Sequence, residues 1–170
     1  QKILNDINKN EMKIKIEEFI QKGDVKNLKK VMNDGNFDTS DPIILKAIDF
    51  LNKEDEILKG ELKQRLENQL NTAIQLEDIQ LLNAVIYESK KSQIQELRPI
   101  ISKAMEVLKR REKEEEMIMQ LHQAIDSNEI IVLKQVVSEA EKFKYSEKVY
   151  KVYTEAMKTL KEIEKEATIR

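Results

Sequence analysis

An apolar pattern that returns at a fixed long interval limits what this chain can fold into more than any other feature. Leu70, Ala73, Ile74, Ile79, Leu82, Val85 and Ile86 are followed 51 residues later by Leu121, Ala124, Ile125, Ile130, Leu133, Val136 and Val137. An earlier copy, Ile16, Phe19, Ile20, Val25, Leu28, Val31 and Met32, stands 54 residues before the first of these sets. Spacings of three and four residues within each copy predict two helix faces joined by a short turn. An acidic residue sits beside the second helix start in each copy: Asp24, Asp78 and Glu129. Asp24 and Asp78 are placed to cap that helix, and in the third copy Ser127 or Asn128 can take the role.

A second pattern repeats behind the first. Ile43, Ile44, Ala47, Ile48 and Leu51 match Ile100, Ile101, Ala104, Met105 and Leu108, and match again Val152, Tyr153, Ala156, Met157 and Leu160. The chain therefore reads as one all-α domain over residues 1–170, in three tandem units at about 1–52, 53–109 and 110–170. Such periodicity belongs to repeat architectures, in which stacked units bury a continuous core. The expected architecture is an elongated α-solenoid or helical bundle of about seven helices, with long helices shared between repeats. The expected helices are 2–22, 25–34, 42–76, 79–90, 98–126, 129–142 and 147–168. The fifth would be roughly 40 Å long.

Local signals place the helix ends. Asp41-Pro42 reads as an N-cap followed by a proline at the first helical position, and Pro99 opens another helix through Leu97-Arg98. Gly35 reads as the C′ residue of the second helix. Gly60 falls inside the third, where a glycine costs about 1 kcal/mol and the helix can bend or break. Ser146 is the expected N-cap of the last helix. Its seam is Val149, Tyr153, Ala156, Leu160, Ile163 and Ala167.

Composition narrows the chemistry. No Cys is present, so there is no disulfide, thiolate nucleophile or zinc finger, and with one His there is no multi-histidine metal site. Three Gly leave no room for a glycine-rich phosphate loop. A net charge of −2, from 30 basic and 32 acidic residues, argues against a nucleic-acid surface. The apolar runs are too short for a membrane span. His122 lacks a Glu three residues earlier, which a ferritin-like di-iron motif needs, and reads as a packing or surface histidine. The loop at 34–41 alternates oxygen side chains but has Thr39 where a calcium loop needs glycine and Leu45 where it needs glutamate. It reads as a polar loop ending in a cap. No catalytic, cofactor or metal residue is assigned, no cofactor is expected, and the chain is expected not to be an enzyme.

The candidate interaction surface is a run of eight charged residues, 109–116, between two apolar seams. Its middle is expected to face water as a long helix passes from one unit to the next. Lys109, Arg110, Arg111, Glu114, Glu115 and Glu116 are the residues that would form a docking strip there. Tyr150 is added as an exposed aromatic anchor, in a cluster with Tyr145 and Tyr153. Lys29-Lys30, Lys90-Lys91 and Arg110-Arg111 are assigned to helix dipoles and solubility. Met117 and Met119 are expected to fill gaps between helices.

This arrangement resembles the tandem helical-hairpin repeats of large scaffold proteins, including ciliary and protist cytoskeletal ones. The residues that carry the resemblance are the L-x-x-A-I step in Leu70/Ala73/Ile74 and Leu121/Ala124/Ile125, and the Ala-x-x-x-Leu step in Ala47/Leu51, Ala104/Leu108 and Ala156/Leu160. Unit one departs from it, with Phe19 in place of Ala. The resemblance implies a structural scaffold or docking module, part of a larger polypeptide, in a cytoplasmic setting such as the cytoskeleton or cilium. Its partners would be other proteins, neighbouring segments of the same polypeptide or cytoskeletal components. The chain opens on Gln1, which fits a fragment of a longer protein. The alternative is a regulatory helical bundle that binds an amphipathic peptide or lipid in an interhelical groove.

Overall fold

The computed structural model describes residues 2–143 and 146–169. Among them are seven α-helices and two short 3-10 turns, and no strand. The helices are α1 (Lys2–Lys22), α2 (Val25–Asp34), α3 (Pro42–Leu76), α4 (Ile79–Lys91), α5 (Arg98–Ser127), α6 (Ile130–Ala140) and α7 (Glu147–Ile169). The 3-10 turns are Gln95–Leu97, ahead of α5, and Glu141–Phe143, after α6. No described helix is long and apolar enough to cross a membrane.

Caps explain most of these boundaries. Asp41 accepts the Ile43 amide at 3.0 Å, and Pro42 begins α3. Pro99 lies in the first turn of α5. Ser146 Oγ accepts the Val149 amide at 3.4 Å. No break occurs at Gly60: α3 is helical throughout, because flanking helix formers outweigh the cost of one glycine. Gly35 ends α2 as expected, yet its φ is −92° and not left-handed. Its reason is space. A Cβ built there would lie 2.0 Å from the Phe37 ring.

Three helix–helix turns each carry a residue with positive φ at the end of the first helix. α1 ends at Gly23, with φ 68°; its amide meets the Ile20 carbonyl at 3.2 Å and the Asp24 amide meets Phe19 at 2.9 Å. This is the paired hydrogen bonding of a Schellman end. α3 ends at Glu77, with φ 51°, and α5 at Asn128, with φ 57°. The residue after the positive φ is acidic each time. Asp24 accepts the Asn27 amide at 3.2 Å and Asp78 accepts the Leu81 amide at 2.9 Å. Glu129 makes no such bond, and Ser127 Oγ accepts the Glu129 amide at 3.3 Å.

The chain divides into two compact units, Gln1–Arg65 and Leu66–Arg170. The sequence-unit boundary near residue 109 falls inside the continuous helix α5. In the first unit α1 packs on α2, and Ile16, Leu28, Ile44 and Ala47 form the buried centre. Lys13 pairs with Asp41 at 2.5 Å and Lys29 with Asp55 at 3.3 Å. In the second unit α5 packs on α4, α6 and α7, and α6 packs on α7. Leu121, Ala124, Leu133, Val137, Val149, Val152, Ala156 and Leu160 belong to its core cluster. Each fully buried Leu or Val contributes roughly 1.5–3 kcal/mol by leaving water. The α7 seam is buried at Val149, Ala156 and Leu160, and Tyr153 and Ile163 are half-buried against the cluster. Ala167, the last residue of the expected seam, is exposed.

Candidate interaction site on helix α5

The charged run on α5 does not face water throughout. Arg111 is 3% exposed and Glu114 is 5% exposed. This corrects the expectation of a solvated middle. Ile101, Ala104, Arg111, Glu114, Met117, Leu121 and Ala124 are the buried positions of α5, and they follow a helical spacing. The core-facing stripe therefore continues through the charged run, and two charges sit on it.

Pairing offsets the cost of burying them. Arg111 Nη1 donates to Glu114 Oε2 at 2.5 Å and Nη2 donates to Glu115 Oε1 at 2.6 Å. Its Nε donates to the backbone carbonyl of Glu77 at 3.3 Å. Arg110 Nη1 donates to the other oxygen of Glu114 at 3.0 Å, and its Nη2 donates to the Glu77 carboxylate. Both Glu114 oxygens are thus held by guanidinium groups. The hydrogen bond to Glu77 is the main cause that raises the Arg110 pKa from its ordinary value. For Arg111, burial pulls the value down, but the bonds to Glu114 and Glu115 outweigh it and it too is raised. Both guanidinium groups stay charged, so the cluster offers no proton to move.

The cluster also fixes a strained turn. Glu77 has positive φ, which costs a non-glycine residue roughly 1–2 kcal/mol. Arg111 holds its carbonyl and Arg110 its carboxylate, so the α3–α4 turn is tied to the middle of α5. Sequence reasoning missed Glu77 because it lies 33 and 34 residues from its partners.

The remaining candidates are dispersed. Lys109 and Glu116 are exposed on α5. Tyr150 is 51% exposed and stacks on Tyr153, with ring centroids 6.0 Å apart. It borders a different cleft, beside Ala140, Glu141 and Phe143. Tyr145 lies outside the described residues. Arg110 and Glu114 border an open cleft of about 400 Å³ that Lys142, Glu147 and Lys148 also line. Its mixed signs favour no ligand of a single charge. Met117 is buried as expected of a gap filler, whereas Met119 is exposed because it points off the core stripe. His122 is exposed. In the loop at 34–41, Asp38 binds the Ser40 amide and hydroxyl, and Asp41 caps α3. No cluster of three or more metal-ligating side chains occurs among the described residues.

The all-helical architecture defines the class: an all-α protein of seven packed helices among the described residues. No family model, curated protein or solved structure matches the chain.

Proposed function

We propose that this chain is a non-enzymatic helical-repeat module that makes protein–protein contacts within a larger assembly, built as a three-unit solenoid and not a closed bundle. The observation that carries this reading is the shared turn at Gly23, Glu77 and Asn128. One left-handed residue and one acidic residue recur there at the same 54- and 51-residue intervals as the apolar pattern. A left-handed helix end that is kept while its residue changes from Gly to Glu to Asn is what a repeated structural unit produces. The arginine–carboxylate cluster fits the same reading, since it stiffens a turn without offering chemistry. Cytoskeletal components are the partners the scaffold resemblance suggests.

Small-angle X-ray scattering tests it. A compact 170-residue globule has a radius of gyration of about 15–16 Å. A solenoid gives a clearly larger value and a skewed distance distribution. A value near that of the globule refutes the solenoid and returns the regulatory-bundle alternative. One observation favours that second reading: two clefts, of about 570 and 480 Å³, that share Lys90, Ser102 and Met105 along α4 and α5.

A further inference from the structure

The larger of these clefts lies where the end of α4, the 3-10 turn Gln95–Leu97 and the start of α5 meet. Ser89 borders it from α4. The residue is 1% exposed, and its Oγ is buried without a hydrogen-bond partner. An orphaned buried hydroxyl costs about 1–3 kcal/mol, so its presence needs a reason.

The charged side chains that line this cleft are cationic. Lys90 and Arg98 line the cleft, with Gln93, Gln95 and Ser102, and no acidic side chain does. Neither Lys90 nor Arg98 has an ion pair among the described residues, whereas Arg110 and Arg111 are fully engaged. The helix ends meeting there are unequal. The last carbonyls of α4 are occupied: Glu88 and Lys90 by the Ser92 and Gln93 amides, and Ser89 by the Ser92 hydroxyl. α5 begins without a side-chain cap, directly behind the 3-10 turn that carries Glu96.

The same chain supplies a control. Counting 51 residues on from Ser89 and Lys90 gives Ala140 and Glu141; counting 52 on from Arg98 and Ile101 gives Tyr150 and Tyr153. Those four residues border their own cleft, of about 510 Å³. Ala140 is as buried as Ser89, so the position asks only for a small side chain. The hydroxyl and the two cations are surplus to the packing of this corner.

We propose that the cleft at Ser89, Lys90, Arg98 and Ser102 binds a phosphomonoester with an apolar substituent. Two unpaired cations match the charge of about −1.5 to −2 on such a group, and a carboxylate would neutralise only one of them. Ser102 Oγ supplies a neutral donor, and Ser89 Oγ, covered in the ligand-free chain, supplies a second when a side-chain shift uncovers it. Ile94, Ile101 and Met105 supply the apolar floor for the substituent. The site holds whether or not the chain is a repeat scaffold.

Isothermal titration calorimetry of the full chain at low salt, with phenyl phosphate as probe, tests this. Saturable binding is expected, weaker by about tenfold in Arg98→Gln and in Lys90→Gln. Ser89→Ala is expected to weaken binding while its melting temperature stays level or rises, because the orphaned hydroxyl is gone. Glycerol phosphate, inorganic phosphate and benzoate serve as the polar-headgroup, free-anion and carboxylate arms, and each is expected to bind less tightly. The proposal is overturned if no saturable heat appears up to about 10 mM. It is also overturned if the three variants bind like the parent chain, or if any of the other probes matches phenyl phosphate.

Discussion

Replacing Arg111 with leucine tests whether the buried cluster on α5 is the tie that holds the second unit's turn in place. Arg111→Leu leaves Glu114 buried with one cationic partner, Arg110 Nη1 at 3.0 Å, and frees the Glu77 carbonyl. Breaking a buried pair costs about 3–5 kcal/mol. The surviving bond to Arg110 puts this case at the lower end, near 3 kcal/mol. At roughly 2–4 °C per kcal/mol for a chain of this size, the melting temperature falls by about 6–12 °C. Glu114→Leu costs somewhat less, because Arg111 keeps Glu115 at 2.6 Å. The double variant Arg111→Leu/Glu114→Leu removes both charges from the core stripe and returns to within about 1 kcal/mol of the parent, since a well-packed apolar pair often replaces a buried ion pair without loss. Urea unfolding followed by circular dichroism at 222 nm gives all three values. A single variant that loses less than about 1 kcal/mol, or a double variant that loses the sum of the two, refutes the reasoning.

Two further outcomes follow from the first unit and from α3. Gly60→Ala should stabilise helix α3 by about 1 kcal/mol, because no atom lies within 4 Å of the added Cβ; a lowered urea midpoint would contradict it. Asp41 has a pKa lowered from 3.8 by the hydrogen bond from Lys13 and the Ile43 amide. The folded state therefore favours the charged form, and its contribution is present above pH 3.8 and lost as pH falls through the lowered value. Asp41→Asn keeps a capping side chain but not the charge, so its urea midpoint should vary less with pH in that acidic window. An unchanged acid profile in this variant would show that the Lys13 pair carries no pH dependence.

The helix ends were legible because they depend on near neighbours. Asp24, Asp78, Asp41-Pro42, Pro99 and Ser146 each act within about four residues of themselves, and each stands where a helix begins. The buried positions of the repeated pattern were legible for the same reason, since one helix face collects them. The charged stretch at 109–116 was misread because residue type was weighed above periodicity. Arg111 and Glu114 continue the stripe of Ile101, Ala104, Met117 and Leu121, and the spacing was the available signal. The cleft at Ser89 was not legible at all. Lys90 fitted a helix-end role, and nothing in the sequence shows that the Ser89 hydroxyl lacks a partner.

The sequence by itself determined seven helices, the caps that start them and the apolar positions that turn inward in the repeated pattern. Tertiary structure decided which charges are paired inside, that the Phe37 ring lies where a Gly35 side chain would stand, and where a cationic hollow opens. Capping and periodicity act over a few residues of one helix, so the sequence contains them whole. Burial and pairing depend on groups such as Glu77 and Phe37, which only folding brings against their partners.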